Sequence, residues 1–301
     1  MKVLCFGSLN IDYTYTVPHF VQKGETISCT ELRLFGGGKG LNQSVALSRA
    51  GLNVSLAGAI GEDGRFLLDE LQRAGVDTRY VDILPGVRTG HAIIQNDAEG
   101  DNCILVFGGA NHCTGREQID RVLTCFGKGD LLTLQNEIRE LDYLIRKARA
   151  RGMKIALTPA PMNEAVKDLP LEEIDYLFLN EVEAGCLLGH EVETAPLEAA
   201  RELRRRFGVK NVALTLGAEG SVFSGETGDF VQAAIPAEAV DTTGAGDTFA
   251  GFFLAGALQG FDTQRALYFA SAAASIAITR SGASASIPDR DEVLERIYRE
   301  N

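Results

Sequence analysis

The stretch DLLTLQNEIRELDYLIRKARARGMKIALTPAP, residues 130–161, contains a strand, a helix and a second strand in one unbroken unit. LLTLQ and KIALT are short runs that are apolar on both faces, as strands covered by helices on both sides must be, and LDYLIRKARARG between them is helical. The same alternation continues downstream through YLFLNE (176–181), the helical VEAGCLLG (182–189) and LEAARELRRRFG (197–208), and then NVALTLG (211–217). Upstream, KVLCFGS (2–8) and VSLAGAIG (54–61) are strands, whereas GLNQSVALSRAG (40–51) and GRFLLDELQRAG (64–75) are helices closed by Gly51 and Gly75. Repeated βαβ units predict an α/β fold whose central, mostly parallel sheet is flanked by helices.

Two segments break the pattern. Residues 11–35 (IDYTYTVPHFVQKGETISCTELRLF) and 88–107 (RTGHAIIQNDAEGDNCILVF) alternate or are β-branched, with polar turns at QKGE and NDAEGDN. They predict a small β-sheet, 11–35 with 88–107, that is either a lid over a cleft or a decoration, beside a core formed by 1–10, 36–87 and 108–301. TISCTELRLF and HAIIQND read as exposed sheet edges.

Composition narrows the class. A chain of 301 residues with 45% hydrophobic and 23% charged side chains can bury a large core. The net charge of −12, without long basic blocks, argues against a nucleic-acid partner. Neither a signal peptide nor a membrane-length apolar run is readable, and the six scattered cysteines lack metal spacing, so the expectation is a cytoplasmic protein with reduced thiols and no membrane partner.

The chemistry concentrates in DTTGAGDTF, residues 241–249, which opens the apolar run AGFFLAGAL. Gly244 and Gly246 let the amides around Ala245 converge at a helix N-terminus, where the helix dipole favours an anion such as a transferring phosphoryl group. A carboxylate at Asp247 would repel that anion unless it faces an attacking hydroxyl and accepts its proton. A first-turn aspartate beside close-packed glycines also suits a helix without any catalysis, and this segment alone leaves both readings open. GGGKG at 36–40 is not a Walker loop, because Gly40 follows Lys39 where Ser or Thr is required and Arg33 occupies the first glycine position. GAGDTF ends in Phe249, so a dinucleotide fingerprint fails too.

DTTGAGDTF together with FGGGKGLNQ (35–43) resembles the paired signatures of the ribokinase family of carbohydrate kinases. The resemblance extends in order through GSLNID (7–12), KGET (23–26), RTGHA (88–92), LQNE (134–137), TPAP (158–161), NEVE (180–183), TLGAEGS (215–221) and AITRSGASASIP (277–288). It implies a ribokinase-like fold and ATP-dependent phosphorylation of a sugar, with Asp247 as base and Gly244, Ala245 and Gly246 as anion hole. Asn10, Asp12, Gly38, Lys39, Asn42 and Glu137 match sugar-contacting positions; by themselves they read as a polar turn, a flexible helix entry and a strand-end charge.

Asn180 and Glu183 match a motif that positions phosphate and magnesium-bound water, although an Asn cap with an acidic first turn reads the same way. Thr215, Gly217, Gly220, Gly246 and Ser271 match nucleotide-lining positions. Asp241 and Ser286, with backbone oxygens of Thr243, Ala277, Arg280 and Gly282, match a monovalent-cation site, which implies K+ beside ATP and Mg2+.

The resemblance implies D-ribose, phosphorylated at O5, because relatives that act on deoxyribose can lose the amide that Asn10 carries here; a kinase of fructose, another sugar or a nucleoside, and a non-catalytic sugar-binding protein, are the alternatives. Leu41 either reshapes the pocket edge or packs inward. The family resemblance and the two lid edges together imply a homodimer formed through the lid.

Overall fold

The computed structural model describes residues 1–300 apart from 98, 100 and 193. β1 (Val3–Phe6) shows why the sheet is central: Val3 and Cys5 enter one hydrophobic cluster and Leu4 and Phe6 the other, and all four are buried. Alternation across a strand with both faces apolar requires a layer on each side.

β1 lies between β4 (Val54–Gly61) and β8 (Leu131–Gln135), both parallel to it. Beyond β4 runs β5 (Asp77–Leu84); beyond β8 follow β9 (Lys154–Thr158), β10 (Tyr176–Asn180) and β11 (Asn211–Thr215), all parallel. An antiparallel hairpin, β12 (Ser221–Gly225) and β13 (Gly228–Gln232), closes the far edge of this nine-stranded sheet.

One face carries α1 (Lys39–Arg49), α2 (Arg65–Arg73), α7 (Ala245–Leu258), α8 (Thr263–Ala277) and α9 (Arg290–Glu300). The other carries α3 (Arg116–Leu123), α4 (Leu141–Ala150), α5 (Glu181–Leu188) and α6 (Pro196–Phe207). Every residue of α7 from Asp247 to Gly256 is buried, as expected of a helix apolar on all sides and enclosed in a core. Phe253 anchors it against Phe178 and Phe223, each with ring centroids 5.6 Å away.

The two excursions form a separate four-stranded sheet in the order β3 (Glu31–Gly37), β2 (Asn10–Thr16), β6 (Gly90–Asn96), β7 (Asn102–Phe107). β2 pairs antiparallel with β3 and parallel with β6. One expectation is corrected here: HAIIQND is not an edge, because β6 is hydrogen-bonded on both sides, and the edges are β3 and β7. Residues 26–30 of TISCTELRLF are likewise outside the strand. None of the six cysteines is disulfide-bonded, and no helix among the described residues is long and apolar enough to cross a membrane.

Candidate active site

The site begins where α7 begins. Gly244 caps the helix with φ +77°, a left-handed conformation that favours glycine; among the described residues no side chain caps the helix, and Ala245 N donates to the Thr242 carbonyl at 3.2 Å. Asp247, in the first turn, is 6% exposed. Its Oδ2 accepts a hydrogen bond from Asn42 Nδ2 at 3.0 Å, and its Oδ1 accepts one from Gln43 Nε2 at 3.0 Å. Both donors lie on α1, so the carboxylate is fixed between two helices packed on the same face of the sheet.

The N-terminus of α1 gathers the second group. Gly38, at φ +90°, turns the chain from β3 into the helix, and a Cβ there would meet the Asn10 amide nitrogen and the Ser8 carbonyl oxygen at 2.9 Å. Glu137, just past the end of β8, supplies the cap that Gly38 cannot: its Oε2 accepts from Lys39 N at 3.0 Å and from the Ser8 hydroxyl. Ser8 Oγ in turn accepts from Gly40 N at 3.2 Å. A carboxylate at the positive end of a helix is favourable, so Glu137 is more than a surface charge. Leu41 is fully buried in the core and packs inward.

Asn10 is buried at the start of β2. Its Oδ1 accepts from Asn111 Nδ2 at 2.8 Å, while Asn111 Oδ1 accepts from Leu9 N at 3.0 Å. The carbonyl side of Asn10 is therefore occupied, which leaves its amide to donate.

Charge couples these groups. Burial pushes Lys39 downward, but the carboxylates of Asp247, Glu137, Glu183 and Asp12 outweigh it and hold the ammonium above its ordinary range. Burial, reinforced by Glu137 and Glu70 and opposed by Lys39, pushes Asp12 from 3.8 to about 7. Because the folded value lies above the unfolded one, Asp12 favours the fold most below pH 3.8 and that contribution is lost as pH rises through about 7. Urea unfolding at pH 5 and pH 8 is expected to show stability falling with pH, and Asp12→Asn to remove about 2 kcal/mol of that fall. An unchanged slope in the variant would reject this charge assignment.

Asn180 and Glu183 form a reciprocal capping box on α5, Glu183 N donating to Asn180 Oδ1 at 2.8 Å and Asn180 N donating to Glu183 Oε2 at 3.0 Å. The cap reading of this pair is what the hydrogen bonds show; Glu183, pushed upward by burial, also feels Lys39 and Asp247.

Thr215, Gly217, Gly220, Ala245, Gly246 and Ser271 line one cavity of about 430 Å3 next to the head of α7. A second cavity, of about 480 Å3, lies between the small sheet and the core, with Asp12 on one wall and Asp241, Thr243 and Gly282 on the other. Asp241 ties two loops together, accepting from Thr243 N at 2.9 Å and from Gly282 N at 2.9 Å. The Ala277 carbonyl accepts from Arg280 N at 3.1 Å, and Ser286, in the short helix after Gly282, donates to the Ala283 carbonyl at 2.9 Å.

Gln43, Asn111 and Ser8 escaped the reading of the sequence. Gln43 stands inside FGGGKGLNQ, beside Asn42, and that position was its only signal. Asn111 had none, because its partners are 101 and 102 residues away in sequence.

Comparison with known proteins gives this geometry a family. Residues 1–290 match the model of the pfkB family carbohydrate kinases. The ribokinase of Haemophilus influenzae is 34% identical over 295 residues, covering 96% of each chain. The crystal structure of the Cryptococcus neoformans ribokinase in complex with ADP superposes with a TM-score of 0.86 at 34% identity, covering 98% of this chain and 99% of that one. The Arabidopsis thaliana ribokinase complexed with ribose and ATP gives 0.87 at 31% identity, with 98% and 97% covered. Matched from end to end in sequence and fold, the chain belongs to the pfkB family of carbohydrate kinases.

Proposed function

We propose that this carbohydrate kinase transfers the γ-phosphoryl group of ATP to O5 of D-ribose. The observation that carries the reading is Asp247, a buried carboxylate between the polar cluster at the head of α1 and the cavity at the head of α7. Its role is to take the proton of the attacking hydroxyl while the amides of Gly244, Ala245 and Gly246 receive the charge that develops on the phosphoryl oxygens. Asn10, Asp12, Gly38, Lys39, Asn42 and Glu137 hold the sugar. The Asn10 amide, free to donate, suits a 2-hydroxyl and argues for ribose over deoxyribose.

The nucleotide enters the cavity lined by Thr215, Gly217, Gly220 and Ser271. Asn180 and Glu183 are the residues that would hold the waters of a magnesium ion bound with ATP, which would neutralise phosphate charge. K+ would take the oxygens of Asp241, Ser286 and the carbonyls of Thr243, Ala277, Arg280 and Gly282, a hard all-oxygen donor set; Asp241 here accepts from Thr243 N and Gly282 N, and Ser286 donates to the Ala283 carbonyl.

The small sheet serves as a lid, residues 11–35 with 88–107, and as the homodimer interface. Exposed Ile104, Leu105, Val106 and Phe107 on β7, with Leu32 and Leu34 on β3, support this, and light scattering tests it. Six unpaired cysteines suit a cytoplasmic setting.

The deciding assay is ADP release with D-ribose, deoxyribose, fructose and adenosine. Ribose is expected to give the highest kcat/KM, with deoxyribose about tenfold or more lower, since Asn10 would be left unpaired. Turnover with another acceptor only would keep the kinase and overturn the assignment to ribose.

A further inference from the structure

We infer that Gln43 is the positioning residue for the base: it holds Asp247 by Oδ1 and so makes Oδ2 the oxygen that takes the proton. The inference rests on the reading of Asp247 as base and extends it to a single oxygen atom.

The two amides on the Asp247 carboxylate are not equivalent. Gln43 is 2% exposed and saturated. Its Nε2 donates to Asp247 Oδ1 at 3.0 Å and to Thr158 Oγ1 at 3.1 Å, and its Oε1 accepts from Gln135 Nε2 at 2.6 Å. Turning this amide over would set Oε1 against the carboxylate and Nε2 against the Gln135 NH2, so its orientation has one solution. Asn42 is held on one side only. Its Nδ2 donates to Asp247 Oδ2 at 3.0 Å, but among the described residues no donor reaches its buried Oδ1.

A buried carbonyl without a partner is costly, and an incoming hydroxyl relieves that cost. Asn42 can therefore turn toward the sugar and release Oδ2, while Gln43 keeps Oδ1. The hydroxyl proton then passes to Oδ2 as its oxygen bonds phosphorus, and the bond from phosphorus to ADP breaks with its electron pair leaving on ADP. A carboxylate held by one oxygen cannot rotate away from this alignment.

Gln43→Met, Gln43→Glu and Asp247→Asn, assayed together, test the idea. Met conserves volume and removes the donor, so kcat is expected to fall about 10- to 100-fold with KM for sugar and ATP within about threefold. Glu restores a donor only when protonated. Its activity relative to the parent protein is therefore expected to rise about tenfold or more from pH 8 to pH 6. The titratable groups around position 43 are Asp247 on α7 and, across Gln135, the Cys5 thiol on β1, which burial pushes upward; Lys39 and Glu183 share the field of Asp247.

A Gln43→Met enzyme with kcat within threefold of the parent, or a loss confined to KM, overturns the inference, and so does a flat pH ratio for Gln43→Glu if the Met variant does not fold. Inactive Asp247→Asn beside a fully active Gln43→Met would sink only this step, whereas an active Asp247→Asn would sink the base itself.

Discussion

Asp247→Asn is expected to lower kcat about a thousandfold while the protein stays folded and KM for the sugar changes by no more than a few-fold. The local hydrogen bonds explain why the fold tolerates the change. An asparagine at 247 presents one carbonyl and one NH2 to two amides that both donate. Gln43 cannot turn, since Thr158 and Gln135 fix it, so the new carbonyl must face Gln43. The new NH2 then faces Asn42, whose carbonyl has no partner and can rotate to accept it. The turn carries the Asn42 NH2 to the place its unpartnered carbonyl held, so the count of unpartnered buried groups does not rise, and a buried charge is removed. Only the base is lost, because an NH2 now stands where Oδ2 did. Initial-rate ADP release over a range of sugar concentrations separates kcat from KM; a kcat within tenfold of the parent would mean that another group takes the proton.

The parts of the fold legible in the sequence are those where a single segment carries its own pattern. β8, α4 and β9 announce themselves because strands buried on both faces become apolar runs and an amphipathic helix separates them. The head of α7 is legible because its two glycines and its aspartate are adjacent. α8 was passed over: YFASAAASIA, small-residue-rich and buried through most of its length, shows no clear polar stripe. The hairpin of β12 and β13 is hard to read because SVFSG and GDFVQ are short and polar-interrupted, and only pairing with β11 and with each other makes them strands.

β6 shows a different limit. HAIIQN reads alike whether the strand is internal or at an edge, and its position depends on β2 pairing with it in parallel. The site divides along the same line. Residues in DTTGAGDTF and FGGGKGLNQ could be named from their motifs. Asn111, which fixes Asn10, is brought in by a turn of 3-10 helix (Gly109–Cys113) far along the chain, and no local pattern marks it. The sequence also named Asn42 and passed over Gln43, since neighbours on a helix point about 100° apart and only the approach of α7 puts both on one carboxylate.

Two glycines near the site are expected to respond oppositely to alanine, and the contrast separates backbone packing from ligand space. In α1, a Cβ on Gly40 would lie 2.4 Å from Ser8 N, 2.5 Å from Gly7 C and 2.7 Å from Gly7 Cα, all backbone atoms of the segment leaving β1. Helix propensity alone would favour Gly40→Ala by about 1 kcal/mol. The clash opposes it, and no flexible side chain is available to move aside. A net loss of about 3 kcal/mol is expected, read as a lower urea midpoint at unchanged m-value. Activity should fall with it, since Gly40 N donates to Ser8 Oγ, which bonds Glu137.

Gly246, in the first turn of α7, has among the described residues no atom within 4 Å of its would-be Cβ beyond its chain neighbours and its own helix backbone, and lines the cavity with Thr215 and Ser271. Gly246→Ala should leave stability unchanged or raise it by up to about 1 kcal/mol, while its methyl group enters that cavity. KM for ATP is expected to rise about tenfold, with KM for the sugar constant. If Gly40→Ala keeps its midpoint, α1 is not held by backbone contact against the end of β1. If Gly246→Ala keeps its KM for ATP, the nucleotide binds elsewhere and the cavity at the head of α7 is not its site.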